Sequence, residues 1–170
     1  MVKSHIPDNP FWTYSLAHYG RREVAQACHN LQDTRGININ LLLFCCWTGA
    51  RGEKLDTSQI CKAQSLIAEW DIQVVQRLRQ LRRFLKECAN ATDQIRHEVA
   101  NLELSSERVV QDMLAEWWLA EPRSVGTTSD QGVSELQEAN LDLFLSLSGA
   151  PLPGQHSPLL WPLTLPRSPA

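Results

Sequence analysis

The sequence predicts an all-α protein, a single helical bundle of about six or seven helices around a fully apolar central helix at residues 39–50. Three observations support this fold class. Apolar side chains recur every three or four residues between residues 9 and 149, as they do along one face of a helix. Residues that start and stop helices separate these segments. No convincing run of alternating apolar and polar residues predicts strands.

The first three predicted helices are marked by their end residues. The Asn-Pro pair at residues 9–10 opens the first helix, which Gly20 ends. A second helix is predicted at about residues 23–33, and Asn38 caps the third at residues 39–50. Because the third helix is apolar on all sides, we expect other elements to cover it completely. A buried strand is the competing interpretation, but the Asn cap, the length and the glycines at its exit favour a helix.

The next segment predicts helices on both sides of Asp71. One begins at Asp56 or Thr57 and runs to Trp70, after which Asp71 either caps a fifth helix or lies inside one longer bent helix. Beyond it, five apolar residues are spaced alternately by four and three, which is typical of a narrow seam packed against another helix: Val74, Leu78, Leu81, Leu85 and Cys88.

Two more helices are predicted before the C-terminal segment. The first starts after Thr92, and a break at Ser105-Ser106 is an open alternative. Residues 121–132 predict a loop, and Ser134 is predicted to cap a last helix that ends near Ser148.

The prolines divide the chain into a helical domain at residues 1–149 and a tail at residues 150–170. Six of the nine prolines fall at Pro151 or later, so we expect this tail to be disordered. The alternative is an extended recognition segment, anchored by apolar side chains between the prolines: Leu159, Leu160, Trp161 and Leu163.

The sequence favours the cytoplasm and predicts no membrane span. The first twelve residues lack the apolar core of a secretory signal, and five cysteines without framework spacing are typical of reduced thiols. Residues 37–50 are uncharged for 14 residues, fewer than the roughly 18 to 20 that cross a bilayer. Residues 143–166 are uncharged for 24, but their prolines forbid a continuous helix.

The net charge of −3 conceals two oppositely charged segments, +3 over residues 71–97 and −8 over residues 98–142. Four basic side chains within the predicted helix 77–86 share one face, and they form a candidate partner surface: Arg79, Arg82, Arg83 and Lys86. The simpler interpretation is that the following acidic helix, or water, satisfies this charge. Nucleic acid is an unlikely partner, because no aromatic residues are interleaved with the basic ones.

A second candidate site surrounds the central helix. Asn40, Trp47 and Arg51 lie on one side of it, and Asp33 near the end of the preceding helix needs a compensating cation, from Arg35, from Arg51 or from the next helix cap. These positions suit a small-ligand pocket, and the ligand candidates are Asp33, Asn40, Trp47 and Arg51. In the structural alternative, Asn40 bonds a neighbouring backbone and Arg51 pairs with Asp33.

No motif predicts chemistry. The chain has no CxxC, HxxxH or ExxH pattern for a metal, and no GxSxG or phosphate-binding glycine loop. We therefore predict no catalytic residue, no metal and no cofactor, and we lean against an enzyme.

Three motifs resemble a small proteobacterial family of proteins of unknown function. They are FWTYSL at residues 11–16, LQD at residues 31–33 and NLLLFCCWTGARG at residues 40–52, and the resemblance extends over about residues 9–149. It implies a bacterial, cytosolic, helical protein and no particular chemistry.

These observations leave three hypotheses for function. The leading one is a non-catalytic protein-interaction or adaptor module that uses the basic face or the acidic segment. The alternative is a small-ligand-binding protein or enzyme with an interhelical pocket near Asn40, Trp47 and Arg51. Weak nucleic-acid binding through the basic helix is the third. The oligomeric state stays open.

Overall fold

The computed structural model describes residues 9–121 and 132–149, and the regular structure within these ranges is entirely helical. It comprises seven α-helices, with one π-helical turn at Asp71–Val75: α1 (Pro10–Tyr19), α2 (Arg22–Arg35), α3 (Ile39–Ala50), α4 (Thr57–Trp70), α5 (Gln76–Glu87), α6 (Asp93–Ala120) and α7 (Val133–Leu147). The all-α prediction is confirmed. The predicted loop at 121–132 and the predicted tail lie almost wholly outside the described residues.

Asparagine caps set the starts of α1 and α3. The Asn9 side-chain oxygen accepts the backbone N–H of Phe11 at 2.8 Å. The Asn38 side-chain oxygen accepts that of Asn40 at 3.0 Å. Between them, Gly36 ends α2 in the left-handed conformation, with φ of 67°. The predicted starts of α1 and α3 are confirmed, because a cap depends on atoms only two or three residues away.

Helix α3 is the centre of the molecule. Every residue from Asn40 to Gly49 is buried, and α1, α6 and α7 pack around it. Helix α7 approaches α3 closely at Gly49, where a Cβ atom would lie 2.7 Å from the backbone nitrogen of Gln137. Complete coverage of this apolar helix, as its sequence predicts, is what holds the other helices together.

Helices α4 and α5 form one continuous helix through the π-helical turn, which resolves the two alternatives for Asp71. The Gln76 backbone N–H bonds the carbonyl of Asp71, and the Gln76 side chain donates to Asp71 Oδ2 at 2.7 Å. A π turn brings residues i and i+5 together, so this side-chain bond supports the turn.

Helix α6 runs unbroken for 28 residues. Ser105 and Ser106 do not divide it, and their hydroxyls donate to carbonyls of the same helix, Asn101 at 2.8 Å and Glu103 at 2.7 Å. The predicted Ser134 cap is wrong, since α7 begins at Val133 and Gly132 occupies the cap position. None of the described helices combines the length and hydropathy needed to cross a membrane.

Candidate functional site

An open apolar groove of about 490 Å³ lies between α5 and α6. Trp70 closes one end, because its indole N–H donates to the Ser106 carbonyl at 3.1 Å and holds the end of α4 against α6. Apolar side chains form most of the lining: Trp70, Val74, Leu78, Leu81, Leu102 and Val109. Three residues of the predicted α5 seam therefore line a surface that is open to solvent.

The groove is open because α6 covers only one flank of the α5 seam. No residue of α5 is buried, and Leu81 on the seam is 43% exposed. Near the hairpin turn, Phe84 and Ile95 are also exposed. A surface of contiguous apolar side chains on a helical hairpin is typical of a binding site for another molecule.

The basic face of α5 pairs mainly with carboxylates of this same chain. Arg79 Nε lies 3.2 Å from Glu103 Oε1, and its Nη2 lies 2.7 Å from Glu107 Oε1. Arg82 also pairs with Glu103, and this hydrogen bond raises the pKa of the Arg82 guanidinium. Burial raises the pKa of the Glu107 carboxyl, against the lowering effect of Arg79. The expected neutralisation of the basic helix by the acidic one is the arrangement found.

Arg83 and Lys86, the other two basic residues of the candidate partner surface, differ in whether they form an ion pair. Arg83 Nη2 donates to Asp33 Oδ1 at 2.8 Å, across an exposed gap between α5 and α2. Lys86 is exposed and has no ion pair with any residue in the described ranges. Asp33 thus takes its cation from α5, so the expected pair between Asp33 and Arg51 does not form.

A smaller polar cavity of about 190 Å³ lies among α1, α2, α3, α5 and α6. It brings the ligand candidate Asn40 together with Arg79 and Arg82, which the sequence had assigned to a separate surface. The Gln111 side chain donates to Asn40 Oδ1 at 2.9 Å. Hence Asn40 bonds a side chain of α6 rather than the backbone expected from sequence.

Trp47 and Arg51 lie at the other end of α3, away from this cavity. Trp47 is buried and stacks on Phe11, with ring centroids 5.1 Å apart. The Arg51 guanidinium lies over the Trp47 ring at 5.2 Å and pairs with Glu53 at 3.5 Å. The structure therefore does not bring Asn40, Trp47 and Arg51 into one pocket, because the helix separates them along its length.

Sequence reasoning missed most of the polar residues of the cavity. Ser15, Gln111, Tyr19 and His29 all line it, and the Tyr19 hydroxyl lies 3.1 Å from His29 Nε2. The pKa of Tyr19 is raised to about 12, mainly because the hydroxyl is buried. The only signal for Ser15 and Gln111 in the sequence was a polar residue on an otherwise apolar helical face.

All five cysteines are free, and three of them are buried: Cys28, Cys45 and Cys46. Burial raises the pKa of Cys28 to about 12 and raises that of Cys45 further. These thiols are therefore protonated near neutral pH and act as small apolar side chains. Among the residues that the structure describes, no three potential metal ligands cluster together.

Fold and surface together define an all-α helical-bundle protein with an open apolar groove and a smaller polar cavity. The chain belongs to a family of proteins of unknown function (DUF2390), whose model matches residues 10–114. The groove and the cavity both fall inside the matched range, whereas α7 lies beyond it. No curated protein and no solved structure matches the chain.

Proposed function

We propose that this protein is an interaction module whose α5–α6 groove receives one amphipathic helix of a partner protein. The observation that carries the proposal is that the helix-packing seam of α5 is only partly covered, with Leu81 43% exposed and Leu78 half-buried. Seams with this spacing bind a second helix through side chains at positions i, i+3 or i+4, and i+7.

The size of the groove suits a short helix. Its wall runs from Trp70 to Leu81 along one continuous helix. At 1.5 Å per residue, a partner helix of about three turns would fill this length.

Charge at the rim favours a partner with acidic flanks. Arg77 lines the groove and has no ion pair within the described ranges. Ser105 on the α6 wall is neutral. Carboxylates beside the partner's apolar stripe would therefore match the α5 rim and set the orientation of the bound helix.

The α5–α6 groove replaces most of the basic face of α5 as the proposed partner surface. Arg79 and Arg82 turn toward the polar cavity, and Arg83 pairs with Asp33, so Lys86 alone of the four stays available to a partner. The same pairing weakens the case for nucleic acid.

We also propose that the protein acts in the cytoplasm of a proteobacterium and that residues 1–149 form its folded unit. The free cysteines support the cytoplasmic location, and the resemblance of the three sequence motifs to a proteobacterial family is the ground for the proposed origin. Packing of α7 on α3 supports the second.

A synthetic peptide tests the groove directly. The probe is a labelled helix of about 14 residues with leucines on one face and glutamates on both flanks, and its binding is followed by fluorescence anisotropy. We expect saturable binding, weakened at least about tenfold by Leu81→Glu. The matched control is Leu119→Glu, because Leu119 is 47% exposed on α6 but lies beyond the groove.

Two outcomes would contradict the proposal. One is equal binding of the peptide by the wild type and by Leu81→Glu, or equal binding of a peptide with the same residues in scrambled order. The other is a concentration-dependent wild-type dimer that Leu81→Glu dissociates, since the groove would then be occupied by a second copy of this chain.

A further inference from the structure

Two residues that line the polar cavity each carry a buried polar atom with no hydrogen-bond partner among the described residues. Ser15 Oγ and Gln111 Oε1 both lack a partner within the described part of the chain, although Ser15 is only 4% exposed and Gln111 only 3%. Both residues line the cavity. Buried polar atoms are nearly always hydrogen-bonded, so two such atoms in residues that line one cavity indicate a missing partner.

A third residue of the cavity lining adds a donor. Asn40 Oδ1 accepts from Gln111, and the Asn40 Nδ2 group makes no hydrogen bond to a described residue. The cavity therefore presents an acceptor at Gln111, a donor at Asn40 and a hydroxyl at Ser15 that can do either.

We propose that this cavity binds a small neutral molecule through a carboxamide-like edge, in which an N–H donor lies beside a carbonyl acceptor. The ligand N–H donates to Gln111 Oε1, and the Asn40 amide donates to the ligand carbonyl. Ser15 supplies the remaining hydrogen bond. Side-chain amides recognise such donor–acceptor edges in the same way on nucleobases.

Charge around the cavity favours a neutral ligand. Arg79 and Arg82 on one wall are paired with Glu103 and Glu107 on another, so these four charges cancel. An anionic ligand would compete with the glutamates for the arginines, and it would place an acceptor against Gln111 Oε1.

The dimensions favour a small, flat molecule. A volume of about 190 Å³ is below the range of about 300 to 1,000 Å³ that is typical of sites for drug-sized ligands. Trp12 and Tyr19 contribute aromatic rings to the lining, and flat rings pack well against them. Leu16 and Leu104 line the cavity and are exposed, so the entrance lies between α1 and α6.

This site is independent of the proposed groove. Both use α5 and α6, but Arg79 and Arg82 line the cavity, whereas Leu78 and Leu81 line the groove on another face of α5. The closing experiment therefore includes the groove variant Leu81→Glu, which leaves the cavity intact.

Benzamide and benzoate are matched probes for the test, because they have the same shape and differ in charge and in the N–H donor. Binding is measured by ligand-observed NMR titration against the full chain. The variant is Ser15→Ala, whose hydroxyl has no partner to lose. Its control is Ser65→Ala, an exposed serine on α4 whose hydroxyl bonds its own helix at the Cys61 carbonyl.

We expect saturable binding of benzamide, at least about tenfold weaker binding of benzoate, and about tenfold weaker binding of benzamide by Ser15→Ala. Ser65→Ala and Leu81→Glu should bind benzamide like the wild type. Failure of benzamide to saturate, equal binding of benzoate, or wild-type affinity in a folded Ser15→Ala variant would overturn the proposal. Loss of binding in Leu81→Glu would also overturn it, because the ligand would then occupy the groove.

Discussion

The side-chain oxygen of Asn140 accepts the backbone N–H of Leu55 at 2.8 Å, although 85 residues separate them along the chain. The Asn140 amide nitrogen lies within hydrogen-bond distance of the carbonyls of Cys45 and Glu53. A single buried side chain in α7 therefore bonds both α3 and the segment before α4.

Replacement of Asn140 tests how strongly α7 is tied to the rest of the bundle. Asn140→Ala leaves the Leu55 N–H and the Glu53 carbonyl without this partner in a buried setting. We expect the free energy of unfolding to fall by about 3 kcal/mol, measured by urea denaturation with circular dichroism. Asn101→Ala is the control, because Asn101 is exposed on α6. Equal losses in the two variants would show that Asn140 has no special role.

Gly49 tests the close approach of α3 and α7. In Gly49→Ala, the new Cβ would meet the backbone of Gln137 at 2.7 Å, and a backbone cannot move aside as a flexible side chain does. We expect a loss of about 1 to 3 kcal/mol in the free energy of unfolding, despite the better helix propensity of alanine. Gly132→Ala has open space around it and should change stability by less than about 1 kcal/mol. A neutral Gly49→Ala would contradict this packing.

The Arg79–Glu103 pair tests whether the basic face is structural. Both side chains are mostly buried, at 15% and 8% exposure, so Arg79→Met leaves the Glu103 carboxylate with fewer donors. We expect a loss of about 3 kcal/mol, and partial recovery in the double variant Arg79→Met/Glu103→Leu. Arg83→Met removes an exposed pair with Asp33 and should cost less than about 1 kcal/mol. Similar losses for both arginines would argue against the difference in burial.

The rates at which the thiols react test which cysteines are buried. At pH 8, Cys61 should react first with a thiol reagent and Cys28 should react only on unfolding, because Cys61 is exposed and Cys28 is buried. Cys61→Ser should remove the fast phase, and a fast phase that persists would contradict this assignment.

The raised pKa of Cys28 also has a consequence at alkaline pH. In the folded state, the Cys28 thiol keeps its proton to about pH 12, whereas in the unfolded state it loses it near the ordinary thiol pKa of 9.0. The stability that the protonated Cys28 thiol contributes is therefore fully present below pH 9 and is lost as the pH rises toward 12. Cys28→Ala should reduce this loss, measured by urea denaturation at pH 8 and pH 10. An unchanged slope between the two pH values would contradict the role of Cys28.

Local sequence signals determined where α1 and α3 begin and which helix lies at the centre of the fold. The caps at Asn9 and Asn38 are read from two or three neighbouring residues, and both predicted helix starts are confirmed. Coverage of α3 on all sides follows from the apolar composition of the helix itself. These features are predictable because their causes lie within one or two helical turns.

The sequence could not decide between a new helix and a continuous one at Asp71, or between a broken and a continuous helix at Ser105-Ser106. In each case both structures are compatible with the same local pattern of residues. Packing of α4 and α6 against the rest of the bundle decided between them. The missing side-chain cap of α7 has the same cause, since burial of Leu141 and Phe144 stabilises this helix without one.

By itself, the sequence determined the helical class, the apolar centre at α3 and the opposite charges of two successive segments. Only the tertiary structure decided that Glu103 pairs with Arg79, that part of the α5 seam stays exposed to solvent, and that Ser15 and Gln111 line one cavity. The physical reason is that helical periodicity specifies which residues share a face. It does not specify which helix covers that face, because this choice depends on contacts between residues far apart in the chain.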